Sequence, residues 1–243
     1  MSKPFLVLVH GYLGACTQWC GQMDAFSERF KVIRPDLPGY GENSHLESPV
    51  TIGGYAMYIL AELDKQRIRT FHLLGHSMGG MIAQEIVARA PERVNMLILY
   101  ATGPVGTIPG RFESIQESRQ ILQEQGVYKS ARRIAAKWFV QHSNAPAYEA
   151  CANIAIQTSL QGALAGLSAM QTWNGRHNLH NITCKTMVLW GEYDTTYLWP
   201  LQDELCQGIG TARLYVFAKC AHAVHLEKKD LFNNTVLEFL TGQ

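Results

Sequence analysis

The six residues Gly-His-Ser-Met-Gly-Gly at positions 75–80 constrain the fold more than any other part of the chain. They follow a short apolar run and precede a segment with helical periodicity, Met78–Ala90. A serine at such a junction lies on a sharp strand-to-helix turn, where flanking glycines let neighbouring backbones approach closely. The pattern therefore predicts a nucleophilic serine, Ser77, at the edge of a sheet; the alternative is a serine that merely occupies a turn.

Short apolar runs alternate with longer amphipathic segments along the chain, which is typical of βαβ units and a parallel sheet. The predicted strands are Phe5–Val9, Lys31–Arg34, Thr70–Leu74, Asn95–Tyr100, Lys185–Trp190 and Arg213–Phe217. The predicted helices between them are Cys16–Glu28, Ile52–Arg67, Met78–Ala90, Leu201–Gly208 and Lys229–Leu240. We expect an α/β fold with a mostly parallel sheet of about six strands and a ligand site at the carboxyl ends of the strands.

The alternation of strands and helices is interrupted from about residue 104 to residue 181, where the sequence has helical periodicity and no convincing strand. The helices predicted there are Ile115–Gln125, Ser130–His142, Tyr148–Ser159 and Leu160–Gln171. A connection of this length in a compact domain is usually functional. We therefore expect a single domain, residues 1–243, with a helical lid inserted over the site.

A serine nucleophile needs a base and an acid that orients the base, and this architecture places them in the order serine, acid, histidine. Asp194 follows the run Lys185–Trp190 and is our prediction for the acid; Glu192 is too close to the strand end, and Asp203 has the spacing of a helix-face charge. His222 follows the last predicted strand and is our prediction for the base. His225 leads into the final helix, where a structural hydrogen bond is expected instead.

A tetrahedral intermediate also needs an oxyanion hole. We predict that it is formed by the backbone N–H groups of Met78 and Tyr12, with Leu13 as the lesser alternative to Tyr12. His10 is expected to pin the loop that carries Tyr12. A metal site formed by Cys220, His222 and His225 is conceivable, but the spacing is not that of a metal motif, so neither a metal nor an organic cofactor is expected.

Composition excludes some classes of partner. The chain has 21 basic and 20 acidic residues, so no overall field favours a nucleic acid or an anionic membrane. No apolar stretch approaches the ~20 residues that span a bilayer, and the first apolar run is too short for a signal sequence. The six cysteines are scattered and form no C-x-x-C pair. These features favour a cytoplasmic protein with reduced thiols and a small-molecule substrate; they leave the oligomeric state open.

Several ordered motifs together resemble the α/β-hydrolase fold family, in particular small bacterial esterases, 3-oxoadipate enol-lactonases and the carboxylesterase of biotin synthesis. The chain also differs from many members, because only four residues precede Phe5 and leave no room for an N-terminal hairpin. The motifs that carry the resemblance are His10-Gly11, Asp36 to Gly41 with Ser44, Gly75 to Gly80, Pro91 to Val94, Gly191 to Asp194, and His222 with His225 to Lys228.

This resemblance implies a serine hydrolase that cleaves a carboxylic ester or lactone through an acyl-enzyme. A carbon–carbon bond hydrolase and a hydroxynitrile lyase with the same three residues are alternatives, although those lyases carry lysine where this chain has Ala223. A receptor built on the fold is a third. Dehalogenases and epoxide hydrolases of the fold need a carboxylate in place of Ser77. Candidate substrate-binding residues are His76, Trp138, Arg111 and Trp173, of which an arginine in the lid could bind a substrate carboxylate.

Overall fold

The computed structural model describes residues 3–108 and 110–242. Within them, six strands form one sheet in the order β2-β1-β3-β4-β5-β6, and every neighbouring pair is parallel. The prediction of an α/β fold with about six strands is therefore confirmed. The strands are β1 Phe5–Val9, β2 Lys31–Ile33, β3 Phe71–His76, β4 Val94–Tyr100, β5 Lys185–Gly191 and β6 Ala212–Phe217.

Helices cover both faces of this sheet, as an all-parallel sheet requires. One apolar layer contains Phe26 of α1 and Phe232 of α9, whereas the opposite layer contains Ile59 of α2 and Ile82 of α3. The helices are α1 Cys20–Ser27, α2 Ile52–Lys65, α3 Met78–Arg89, α4 Ile115–Ala136, α5 Tyr148–Ala155, α6 Leu160–Thr172, α7 Trp199–Gly208, α8 Val224–Glu227 and α9 Lys229–Thr241.

The strand order brings distant parts of the sequence to one edge of the sheet. Because all strands run in the same direction, the loops that follow β1, β3, β5 and β6 leave from the same, carboxyl edge. The register aligns Val9 with Gly75, and Gly75 with Leu99, so these strands end at the same level. Ligand sites of parallel α/β sheets lie at this edge.

Three helices, α4 to α6, form the segment between β4 and β5, which we call the helical insertion (residues 104–181). A capping box of Ser114 and Glu117 begins α4. The two helices predicted here are observed as the two halves of α4, Ile115–Ala136, which meet at Gly126, a residue with non-helical backbone angles and a φ of 72°. The second predicted helix extended to His142, but α4 ends at Ala136.

The helical insertion rests on the carboxyl edge of the sheet through close glycine contacts. The Cα of Gly162 lies against the backbone of Gly39, and a Cβ at Gly166 would collide with the Tyr40 hydroxyl and touch the Tyr12 ring. A side chain at either glycine would therefore push α6 away from the sheet. This packing places the helical insertion over the loops that follow β1 and β2.

Two further helix boundaries differ from the prediction. Residues Cys16–Trp19 form a 3₁₀ turn, so that α1 begins only at Cys20, and α5 ends at Ala155 instead of Ser159. Within residues 3–108 and 110–242, no helix combines the length and apolarity needed to cross a membrane.

Candidate active site

Ser77 occupies a strained turn between β3 and α3. Its φ of 56° and ψ of −121° lie in a region that non-glycine residues rarely adopt. The turn is held by its backbone, since Ser77 N donates to Tyr100 O at 2.9 Å and Thr102 Oγ1 donates to Ser77 O at 2.7 Å. A Cβ at Gly75 would collide with the Gly79 carbonyl, so the glycines of the motif permit the close packing expected from the sequence.

Asp194 and His222 form a buried pair in the loops after β5 and β6. His222 Nδ1 lies 2.8 Å from Asp194 Oδ2, and both side chains are almost fully inaccessible. The other carboxylate oxygen, Oδ1, accepts from the backbone N–H groups of Thr196 at 2.7 Å and Tyr197 at 3.2 Å. These bonds fix the carboxylate so that it directs Nε2 of His222 away from the acid, which is the arrangement of a base held by an orienting carboxylate.

The alternative residues considered from the sequence have other contacts. Glu192 Oε2 accepts from Lys219 N at 2.9 Å, and Asp203 bonds Gln207 one helical turn later. His225 Nδ1 lies 3.0 Å from the Tyr100 hydroxyl, which also accepts from His225 N. The structure thus places His225 in the structural hydrogen bond expected for it and Asp194 beside His222.

Two aromatic side chains pack against the ring of His222. The ring of His76, the residue before the serine, lies 4.7 Å from the His222 ring between centroids. The Tyr197 ring is stacked on His222 at 5.8 Å with an interplanar angle of 14°. Burial raises the pKa of Tyr197 to about 12, while the charge of Arg111 and a hydrogen bond with Ser77 act in the opposite direction. Tyr197 therefore packs on the ring of the histidine that the sequence predicts as the base.

Buried donors also hold the main chain of His222. The Gln18 amide nitrogen donates to His76 Nδ1 at 3.2 Å. The ring proton of His76 is therefore on its Nε2, which donates to His222 O at 3.2 Å. The Tyr100 hydroxyl donates to the same carbonyl at 3.0 Å. The candidate substrate-binding residue His76 thus has both ring nitrogens engaged below the site, and its role in this geometry is to position His222.

The loop after β1 lies against the serine. A Cβ at Gly11 would come within 2.9 Å of Ser77 Cβ, and 3.4 Å of Ser77 Oγ. His10 pins this loop as expected, because its Nε2 accepts from Leu37 N at 3.0 Å and its Nδ1 bonds Gly11 O at 2.9 Å. Among the hydrogen bonds of the described residues, the N–H groups of Tyr12 and Met78 have no acceptor. Both groups are therefore available to an oxyanion.

The helical insertion is bonded directly to the loop that carries His222. Ala223 N donates to Trp138 O at 2.9 Å. The Glu227 carboxylate accepts from Val140 N at 2.8 Å and from Ala221 N at 2.7 Å, and so bridges the two segments. The Trp138 ring lies 6.0 Å from the His222 ring. Trp138, a candidate substrate-binding residue, is therefore at the site.

The structure does not bring Trp173 to His222 and Ser77 together with the other candidate substrate-binding residues. Its Nε1 donates to Glu85 Oε1 at 3.0 Å, and its ring packs on Gly175. Glu85 lies two turns along α3 from Ser77, about 12 Å at 1.5 Å per residue. The hydrogen bond to Glu85 anchors the end of α6 to α3. The indole N–H of Trp173 therefore has its partner on α3 and not in the pocket.

Arg111 lies in the first part of the helical insertion, with its guanidinium over the Phe112 ring at 5.1 Å from the centroid. Its charge lowers the pKa values of Tyr12 and Tyr197 against the effect of burial. Among the residues that the structure describes, it has no carboxylate partner, and its buried Nε has no hydrogen-bond partner. Other arginines of the helical insertion are paired with glutamates: Arg132 with Glu149, Arg133 with Glu113 and Arg176 with Glu204.

The residues around the site do not form a metal centre. Across the described part of the chain, no group of three His, Cys, Asp or Glu side chains is placed to hold a metal ion. Cys220, which the sequence placed near His222 and His225, is buried in the apolar layer with Phe217 and Phe232.

Three residues of the site were missed by sequence reasoning. Tyr197 lies three positions after Asp194, Tyr100 ends β4 next to the strand that carries Ser77, and Gln18 lies in the 3₁₀ turn after β1. The position of Tyr100 could have been found, because the last residue of a strand adjacent to the nucleophile lies at the same edge. Gln18 and Tyr197 carry no signal in the sequence, since loop conformation alone brings them to the site.

The buried histidines predict a loss of stability in acid. Burial holds the pKa of His76 well below 6.5 and lowers that of His225 to about 3, whereas an unfolded histidine titrates near 6.5. Their neutral forms stabilise the fold fully above pH 6.5, and this stabilisation falls as the unfolded chain takes up protons at lower pH. His225 should cost about 2 kcal/mol between pH 7 and pH 5, and His76 should add to this loss. Urea titrations at both pH values test this; equal unfolding free energies would contradict it.

A comparison with protein-family models matches residues 4–229 to the model described as alpha/beta hydrolase fold. Among curated proteins, a 2-hydroxy-6-oxononadienedioate/2-hydroxy-6-oxononatrienedioate hydrolase of Paraburkholderia phymatum is 30% identical over 262 residues, covering 98% of this chain and 88% of the relative. The aligned region is thus nearly the whole of both chains.

Two solved structures show the same fold at lower sequence identity. The enol-lactonase from Burkholderia xenovorans LB400 superposes with a TM-score of 0.91 at 24% identity, covering 99% of this chain and 92% of that one. The esterase from Exiguobacterium antarcticum gives a TM-score of 0.89 at 22% identity, with coverage of 99% and 92%. All three similar proteins are enzymes by name.

Proposed function

Because the chain belongs to the α/β-hydrolase fold family, we propose that it is a serine hydrolase that cleaves a carboxylic ester or lactone through an acyl-enzyme. Ser77 is the nucleophile, His222 the base and Asp194 the acid that orients the base. The observation that supports this most directly is the buried contact of 2.8 Å between His222 Nδ1 and Asp194 Oδ2, beside a serine on a strained turn. A histidine held in this way can accept a proton at Nε2.

The proposed reaction has two stages. Ser77 Oγ attacks the carbonyl carbon while His222 removes the hydroxyl proton, and the N–H groups of Tyr12 and Met78 bind the oxyanion. The intermediate collapses, the bond to the leaving oxygen breaks, and His222 returns the proton to the leaving alcohol. Water, activated by the same histidine, then releases the acid and restores Ser77. The helical insertion acts as a lid in this proposal, because it covers the loops where these steps occur.

A panel of model substrates tests this proposal. We expect turnover of p-nitrophenyl esters, measured by the release of p-nitrophenol, or of simple lactones, measured by pH-stat titration. Ser77→Ala should abolish this turnover. Absence of turnover on esters and lactones alike would reject the proposal. Acyl chain length from C2 to C12 is varied so that an unsuitable chain is not mistaken for inactivity.

A carbon–carbon bond hydrolase is the second candidate. The relative from Paraburkholderia phymatum is named for a substrate with ketone and carboxylate groups but no ester. Hydrolysis of such a compound must break a carbon–carbon bond, with the carbonyl carbon attacked as in an ester. Loss of absorbance of a 2-hydroxy-6-oxodienoate would favour this candidate, and a cleavage rate well above that of the best ester would replace the first proposal by the second.

Arg111 is proposed to bind a carboxylate on one arm of the substrate. A bidentate guanidinium–carboxylate pair of this kind contributes about 1.5–3 kcal/mol. We expect Arg111→Met to raise KM about 10- to 100-fold for an ester that bears a carboxylate, and to leave KM for a neutral ester of the same length within a few-fold. Arg132→Met, which removes the partner of Glu149, is the control. Equal effects of Arg111→Met on charged and neutral esters would contradict this role.

A further inference from the structure

A cavity of about 180 Å³, partly open to the surface, lies between the sheet and the helical insertion, next to the residues of the candidate active site. Three of the residues that line it adjoin the proposed machinery. Tyr12 carries a proposed oxyanion donor, His76 precedes Ser77, and Ala223 follows His222. The cavity is therefore adjacent to the reacting groups and can receive one arm of a bound substrate.

The wall of this cavity is largely apolar. It is formed by side chains from the loop after β1, from the helical insertion and from α8, among them Leu13, Trp138, Cys151, Ile154 and Leu226. No lysine, arginine or carboxylate occurs among its described lining residues. An apolar wall of this kind stabilises apolar groups by burial and offers no counter-charge to an anion.

The few polar groups in the wall are neutral. His76 has both ring nitrogens engaged, with Gln18 and with His222 O. His225 Nε2 is buried and has no partner within the described chain, but burial lowers the pKa of His225 to about 3. Neither histidine can neutralise a carboxylate at neutral pH. A carboxylate in the cavity would be a buried charge without a partner, which proteins avoid.

The volume sets the size of the arm that fits. A cavity of about 150 Å³ with apolar walls is sufficient to hold benzene. A space of about 180 Å³ therefore suits a phenyl ring or an alkyl chain of about six carbons. We infer that one arm of the substrate is an uncharged apolar group of this size, held in the cavity; this inference rests on the proposed function. A carboxylate, if the natural substrate has one, is then on the other arm.

This inference separates the chain from a dicarboxylate hydrolase. A diacid would place one carboxylate at Arg111 and the second in the cavity, where no cation meets it. An apolar monoacid satisfies both ends, with the carboxylate at Arg111 and the apolar arm between Trp138, Cys151 and Ile154.

Kinetics with matched substrates test the inference on the whole protein. One series varies the acyl arm in p-nitrophenyl esters, and the other varies the alcohol arm in acetates; each includes members that end in a carboxylate. In one of the two series we expect a terminal carboxylate to lower kcat/KM at least 100-fold. Acceptance of terminal carboxylates within a few-fold in both series would overturn the inference.

A pair of isoleucines in and beside α5 supplies the matched variants. Ile154 lines the cavity, whereas Ile156, two positions later and also half-buried, does not. Ile154→Ala should lengthen the preferred arm by about two to three carbons in the same series, because the wall loses a branched side chain. Ile156→Ala should leave the preference unchanged. If Ile154→Ala shifts neither series, the cavity does not hold the substrate.

A binding measurement keeps the inference testable if no ester is turned over, an outcome that would reject the proposed function alone. Toluene binding to Ser77→Ala is followed by saturation-transfer NMR, with terephthalate as competitor, because a ring with a carboxylate at each end cannot enter the cavity without burying a charge. We expect toluene to bind, terephthalate not to displace it, and Ile154→Trp but not Ile156→Trp to abolish binding. Failure of toluene to bind, or its displacement by terephthalate at similar concentration, would overturn the inference.

Discussion

Ser77→Ala is expected to lower kcat by about 10⁴-fold or more on any substrate that the parent protein hydrolyses. No other group in the site can replace the nucleophile, because His222 and Asp194 act only through the serine in the proposed reaction. The residual rate should be that of an oxyanion hole and a bound substrate without covalent catalysis. Stopped-flow or steady-state assays with the best ester of the panel measure this change.

The fold should be unaffected by this substitution. Alanine keeps the Cβ and the same positive φ, and the bonds of the turn run through the Ser77 backbone to Tyr100 and Thr102. Ser130→Ala is a matched control, because Ser130 is equally buried but lies in α4, where its hydroxyl faces Ile121 O. A Ser77→Ala protein with unchanged unfolding free energy and more than a tenth of the parent rate would show that Ser77 is not the nucleophile.

Asp194→Asn should lower kcat by about 10⁴-fold while leaving KM nearly unchanged. The amide has nearly the shape of the carboxylate, but it cannot stabilise the charge that His222 gains when it takes the serine proton. Its NH₂ group can also face Nδ1 and select the wrong tautomer of the imidazole. Steady-state kinetics of the variant across pH 6 to 9 measure the effect.

Glu192→Gln provides the control for Asp194→Asn. Glu192 lies two residues earlier in the same loop and accepts from Lys219 N, away from His222. We expect its loss to change kcat by only a few-fold. Similar losses in the two variants would indicate that the charge of the loop as a whole, and not the Asp194 carboxylate, supports the reaction.

The fold could be predicted from the sequence because its signals are local. The six apolar runs lie within a few residues of the observed strands, and the glycines around Ser77 mark the one turn whose backbone they must permit. The order of Ser77, Asp194 and His222 along the chain places each after a strand, and a parallel sheet brings such positions to one edge. These steps need no knowledge of side-chain packing.

What could not be predicted depends on loops and tertiary contacts. Trp173 is an aromatic residue of the kind that lines pockets, but its indole N–H donates to Glu85 on α3. Tyr197 comes to the site because the turn after Asp194 directs its ring onto His222. The break at Gly126 agrees with the predicted end of the first helix at Gln125, but the end of the second helical half at Ala136, six residues before the predicted His142, carries no signal in the sequence.

The most direct test of the central proposal is the site at which a fluorophosphonate becomes attached. The probe is incubated with the parent protein, the adduct is counted by intact mass, and its position is mapped by peptide mass spectrometry. The proposal expects one adduct per chain, on the peptide that contains Ser77, and none in Ser77→Ala. An adduct on another residue, or no adduct while esters are still hydrolysed, would contradict it.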